Sequence, residues 1–179
     1  SGGGLRTALV SIHTPLLTAI QTLTAEAVVK TAHVVRDALK RDFALAEPRL
    51  ALAGLNPHAG ENGALGREEI DILAPALDQL HGDGVDIVGP LPPDTMFHEE
   101  ARADYDAAIC LYHDQGLIPV KTLDFHGGVN ITLGLPVIRT SPDHGTAFDI
   151  AGQGVARPDS LIAALRQADL MTRHREAAS

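Results

Sequence analysis

The run Ala107-Ala108-Ile109-Cys110-Leu111-Tyr112, followed by His113-Asp114-Gln115-Gly116, carries the reading of this chain. A short continuous apolar stretch bounded by polar and glycine residues reads as a β-strand. The same arrangement occurs twice upstream. Ala8-Leu9-Val10-Ser11-Ile12 leads to His13, and Leu50-Ala51-Leu52-Ala53-Gly54-Leu55 leads to His58. In an open parallel α/β sheet, ligands bind outside the carboxyl ends of the strands. Three imidazoles far apart in sequence can therefore meet at one point, as a divalent metal requires. The residues alone leave two readings open: a metal centre, or three hydrogen-bonded loop histidines.

Outward from these strands, helix-like and strand-like stretches alternate, which points to an α/β fold. Strands are expected over 5–12, 49–55, 85–88 and 107–112, with further extended stretches over 118–121, 129–132 and 137–139. A helix over 25–42 is capped by Thr24 and carries Val28, Val29, Ala32, Val35 and Leu39 on one face. A helix over 67–80 contains Pro75, which disturbs a helix interior. The last helix covers 158–174, with Pro158 where a first turn tolerates it, and another is expected to open near Gly145 or Thr146. Residues 1–4, Ser-Gly-Gly-Gly, read as a linker or cloning scar, and the missing Met suggests a fragment whose upstream part was removed.

The chain has 179 residues, enough for one packed domain, and is 45% hydrophobic but only 3% aromatic, without Trp. Ala, Leu, Ile and Val must build its core. A formal charge of −9 argues against nucleic-acid binding, which depends on Lys and Arg neutralising phosphates. A single cysteine, Cys110, excludes an internal disulfide framework and reads as a small core residue. No signal peptide or apolar run long enough to span a membrane is visible, so a cytoplasmic location is expected.

Other side chains could carry chemistry. Lys121, Asn130 and Arg139 follow the third histidine in or beside extended stretches. Lys and Arg bind phosphate or carboxylate, Arg in a bidentate manner, and Asn can orient a hydroxyl or phosphate oxygen. The alternative for Lys121 and Arg139 is ordinary surface charge. Asp114, beside His113, could orient a ligand or shuttle a proton. Asp94 and Glu61 are further acidic candidates. The segment from Ser141 to Gly152, which includes His144, Gly145, Thr146 and Asp149, could offer backbone N–H groups to an anion. His33, His81, His98, His126 and His174 are expected to be mostly solvated.

Longer motifs make the chain recognisable. Gly54-Leu55-Asn56-Pro57-His58-Ala59-Gly60-Glu61, Leu65-Gly66-Arg67-Glu68-Glu69-Ile70, Tyr112-His113-Asp114-Gln115-Gly116, Val129-Asn130-Ile131-Thr132-Leu133-Gly134-Leu135-Pro136 and the segment 139–152 occur in order. Together they resemble the C-terminal half of the 4-hydroxythreonine-4-phosphate dehydrogenase family. The resemblance implies an isocitrate/isopropylmalate-dehydrogenase-like α/β fold, a three-layer sheet with helices on both faces. It divides the chain into 5–125, for metal binding and dimerisation, and 126–179, returning towards a substrate- and cofactor-binding domain whose N-terminal part is absent. The family's upstream half supplies a further His-Thr pair for substrate, which this chain lacks.

By motif, His13, His58 and His113 match the family's divalent-metal ligands (Zn, Mg or Co), shared in a homodimer. The expected grouping is His13 and His58 of one subunit with His113 of the other. Lys121, Asn130 and Arg139 match substrate-binding positions, with Lys121 and Asp114 as catalytic candidates. His144, Gly145, Thr146 and Asp149 resemble the NAD or NADP loop of the wider β-decarboxylating dehydrogenases. The implied activity is NAD(P)-dependent oxidation, with decarboxylation, of 4-phosphohydroxy-L-threonine to 3-amino-2-oxopropyl phosphate in pyridoxine 5'-phosphate biosynthesis. The stretch 117–125 looks more like a paralogous branch acting on D-threonate or D-erythronate 4-phosphate. Two other readings compete: a metal-dependent hydrolase, and an inactive dimerisation fragment.

Overall fold

A computed structural model of the chain describes residues 1–178. Four parallel strands form its main sheet in the order β1 (Thr7–Leu9), β4 (Ala107–Cys110), β2 (Leu50–Ala53) and β3 (Ile87–Leu91). All four residues of each central strand, β2 and β4, are buried. This explains the unbroken apolar runs, because a strand covered on both faces has no polar side. Side chains alternate between two cores. Leu50, Leu52, Ala107 and Ile109 face helix α2 (Ala25–Phe43) and helix α3 (Ala74–Gly82), whereas Ala51, Ala53, Ala108 and Cys110 face Leu5, Met96, Tyr105 and Val120. Helices on both sides of a parallel sheet give the expected α/β architecture.

Helix α2 begins where expected, with the Thr24 hydroxyl accepting the Ala27 N–H at 3.2 Å. Its far end is fastened to the last helix, α6 (Asp159–Ala177), through Asp42. Arg41 and Arg175 both bond to that carboxylate, and the Asp42 carbonyl accepts from His174 Nδ1 at 2.9 Å. Helix α6 also packs against a separate antiparallel hairpin of β5 (Val129–Thr132) and β6 (Arg139–Pro142).

Several expectations need correction. Residues 118–121 are helical, inside α5 (His113–Leu123), despite Pro119. The helix places Val120 in the core and lets Gln115 bridge the Leu111 N–H and the Gly54 carbonyl, both at 2.7 Å. A short helix α1 (Leu16–Gln21) follows β1, and β1 itself spans only three residues. Residues 67–80 contain a wide π-helical turn, Glu69–Leu73, before α3, so Pro75 falls in the first turn of α3. Strand β3 runs through Gly89-Pro90 instead of stopping at Val88. No helix opens at Gly145 or Thr146; a single turn, Phe148–Ile150, stands there in an exposed loop. Ser1 exchanges hydrogen bonds with Val129, and Gly2 pairs with Leu5.

Of the histidines expected to be mostly solvated, His81, His98 and His126 are exposed and His33 and His174 half-buried, and each makes a contact within the chain. His33 bonds Asp83, His81 the Ile87 carbonyl, His98 the Ala101 N–H that opens α4 (Glu99–Arg102), and His174 the Asp42 carbonyl. His126 stacks edge-on against Phe125.

Candidate active site

Strands β1 and β4 lie side by side, Leu9 opposite Cys110. Their pairing continues past the strand ends: the Val10 N–H donates to Cys110 O at 2.8 Å, and the Ser11 N–H to Leu111 O at 3.2 Å. This carries His13 and His113 to a ring-centroid separation of 5.5 Å. Both rings line a cavity of about 540 Å³, whose wall also includes Asn130, Lys30, Thr31 and Asp143. The cavity runs along edge strand β1 and reaches past its carboxyl end to His13 and His113, the end at which ligands of open α/β sheets bind.

His113 Nδ1 lies 2.7 Å from Asp114 Oδ1. A carboxylate only accepts, so Nδ1 carries the proton of this bond, and Nε2 is the ring nitrogen left to face a ligand. Lys121 Nζ donates to the Asp143 carbonyl at 2.8 Å and pairs with its carboxylate at 3.1 Å. Arg139 Nη1 donates to Thr132 Oγ1 at 2.7 Å, and Thr132 is another wall residue. Asn130 lines the cavity directly, while Lys121 and Arg139 border it through Asp143 and Thr132. Cys110, just inside the strand end, is inert: burial pushes its thiol up to about 12.

His58 stands elsewhere. It is exposed, in a turn after β2, and does not line the cavity. No group of three His, Cys, Asp or Glu side chains able to hold an ion forms among the described residues. The close pair is thus His13 with His113, not His13 with His58, because β4 separates β1 from β2 in the sheet. Asp94 and Glu61 are exposed and outside the cavity wall. His144, Gly145, Thr146 and Asp149 lie together in one exposed loop; His144 Nδ1 donates to the Gly145 carbonyl, and Gln153 to that of Asp149.

Sequence reading missed Lys30, Thr31 and Asp143 as wall residues. The first two lie on α2, whose apolar stripe showed what faces the core but not what borders a cavity. It also missed Glu69 and Asn56, which shape the turn that carries His58.

The family model described as pyridoxal phosphate biosynthetic protein PdxA matches residues 1–168. A 4-hydroxythreonine-4-phosphate dehydrogenase of Maricaulis maris is 72% identical over 94% of the chain, which covers 49% of that relative. The protein of the same name from Caulobacter vibrioides is 65% identical over 94% of the chain and 50% of the relative. The crystal structure of 4-hydroxythreonine-4-phosphate dehydrogenase from Klebsiella pneumoniae superposes with a TM-score of 0.85 at 44% identity, over 94% of this chain and 51% of that one. A terephthalate 1,2-cis-dihydrodiol dehydrogenase from Burkholderia xenovorans reaches 0.77 at 36% identity, over 94% and 53%. The chain spans about half the length of the curated relatives it matches. No described helix is long and apolar enough to cross a membrane.

Proposed function

Because the chain belongs to the family of pyridoxal phosphate biosynthetic protein PdxA, we propose that it forms the metal-binding and dimerisation half of an NAD(P)-dependent dehydrogenase. The substrate class is a small phosphorylated hydroxy acid, 4-phosphohydroxy-L-threonine foremost, since the similar curated proteins carry that name. The single observation that supports this most is the His13–His113 pair at 5.5 Å on the wall of a cavity that also holds Asn130.

The donor set suits a divalent ion such as Zn²⁺, Mg²⁺ or Co²⁺. Two imidazoles flank one space, and the acceptor on His113 Nδ1 leaves Nε2 available for a metal. A third ligand is needed, and no third side chain of the same chain stands close enough among the described residues. His58, exposed and without a hydrogen bond to its ring among the described residues, is the candidate to reach the site of a second copy. The homodimer would then hold two sites, each with His13 and His113 from one subunit and His58 from the other. When bound, the ion would supply Lewis-acid polarisation of the substrate oxygens and the nicotinamide would supply the redox chemistry.

The chain's own residues then bind and orient. Arg139 has further N–H groups facing solvent beyond its bond to Thr132, and these suit a phosphate or carboxylate. Asn130 offers a donor and an acceptor to a hydroxyl inside the cavity. Lys121 is poised at the rim, and exchanging Asp143 for substrate would place its ammonium beside the anion and let it move a proton at Nζ. Asp114 keeps the His113 ring in one tautomer. The exposed loop with His144, Gly145, Thr146 and Asp149 is the part proposed to meet the cofactor. Residues 5–125 carry the ligands and the dimer contacts, and 126–179 return towards the substrate- and cofactor-binding part of the longer protein. The enzyme is expected in the cytoplasm.

The test is reduction of NAD⁺ or NADP⁺ by the full-length protein with Zn²⁺, Mg²⁺ or Co²⁺, offered 4-phosphorylated hydroxythreonine, threonate or erythronate. Absorbance of reduced nicotinamide should rise fastest with hydroxythreonine phosphate. Faster turnover of a four-carbon sugar-acid phosphate would reassign the substrate. Metal-dependent release of phosphate without nicotinamide reduction would make the protein a hydrolase and overturn the proposal.

A further inference from the structure

Glu69 is a carboxylate at 5% exposure, tucked beneath the chain that leaves β2. Its Oε1 accepts the N–H groups of Leu55 at 2.8 Å and Asn56 at 2.7 Å. Its Oε2 accepts Asn56 Nδ2 at 2.8 Å. Gly60 rests on the same carboxylate: a Cβ added there would lie 2.6 Å from Oε2. Gly54 covers the other oxygen, with an added Cβ 3.4 Å from Oε1. Both oxygens are therefore spent on the segment 54–60. Burial works against the charged carboxyl, but the bonds from Asn56 and the backbone prevail and hold it below the usual range.

The segment anchored this way needs an anchor. His58, Ala59, Gly60, Glu61 and Asn62 all adopt left-handed backbone, with φ of 51°, 50°, 79°, 43° and 57°. Four of them carry a Cβ, which crowds the following carbonyl oxygen in this conformation. Consecutive strain of this kind persists only where surrounding structure over-determines it, and it clusters at functional sites. Glu69 also opens a π-helical turn, a local distortion that recurs at such sites.

We propose that Glu69 is a positioning residue for His58: it fixes the strand exit at Leu55 and Asn56, seats Gly60, and so holds the left-handed turn that presents the imidazole. This rests on the reading of His58 as a metal ligand. It assigns Glu69 no contact with the metal or the substrate, in contrast to Asp114, which touches the His113 ring itself.

The test is Co²⁺ titration of the full-length protein, followed by visible absorption and paired with amide hydrogen exchange. Glu69→Ala should weaken Co²⁺ binding about 10- to 100-fold, the range seen when the groups supporting a ligand are removed. It should also strip exchange protection from the Leu55 and Asn56 amides while those of β4 stay protected. Glu69→Gln keeps the volume and one acceptor, so a smaller loss in both readouts is expected. If Glu69→Ala fails to fold, Glu69→Gln decides alone. Wild-type Co²⁺ affinity in a folded Glu69 variant would overturn the positioning role. His58→Ala separates the two readings. Weakened Co²⁺ binding there with unaffected Glu69 variants sinks only the positioning role, whereas unchanged binding in His58→Ala removes the ligand reading and the positioning role with it.

Discussion

At the scale of single residues, charge placement does two kinds of work. Asp114 stands outside the cavity wall, and its exposed carboxylate orients the imidazole of His113, which lines it. Asp42 sits far from it at 1% exposure and joins two helices. Burial alone would raise the Asp42 carboxyl; hydrogen bonds and charge from Arg41 and Arg175 overcome that and hold it at about 2, against an ordinary 3.8. The folded-state value is depressed, so this contribution to stability is full above the unfolded value. It is lost as the pH falls from about 4 towards about 2. Asp42→Asn should therefore lower unfolding free energy at neutral pH by about 2–3 kcal/mol, read from urea denaturation. The deficit against wild type should shrink in the same acid window. A variant as stable as wild type at pH 7 would show that the clasp contributes nothing. None of this was legible in the sequence. Arg41-Asp42 reads as surface charge on a helix end, and nothing links it to Arg175, 133 residues away.

At the scale of elements, the central strands were readable for a physical reason: with both faces buried, β2 and β4 leave continuous apolar runs. Helix α2 announced itself by its apolar stripe and Thr24. Residues 118–121 misled because Ile118, Pro119 and Val120 each disfavour helix locally. Tertiary contacts overrode them, with Val120 filling the core and Gln115 bridging two backbone groups. The turn after β2 was legible as a glycine-rich loop, but not as left-handed. Gly60 is where that geometry can be tested. It has φ +79° and no room for a Cβ against Glu69. Gly60→Ala should cost about 1–3 kcal/mol of local strain. It should weaken Co²⁺ binding by the full-length protein through misplacement of His58, while far-ultraviolet circular dichroism stays that of the wild type. Unaltered affinity would show that the turn does not matter for the metal.

At the scale of the whole molecule, the three motif histidines divide into a pair and a single residue. Sequence order suggests no such division, because proximity in an α/β sheet follows strand order, and β4 is inserted between β1 and β2. Motifs single out the three histidines; only the topology shows which two share a cavity. In the proposed two-fold dimer, His58 of each subunit would complete the other's site. The most direct test is co-expression of full-length His13→Ala and His58→Ala subunits, each inactive alone. In the mixed dimer, one site carries both lesions and the other is intact, so random pairing should restore about one quarter of wild-type nicotinamide reduction. Co-expressed His13→Ala and His113→Ala subunits should restore none. Activity from the second mixture and none from the first would contradict the pairing of His13 with His113 and return His58 to the same side as His13.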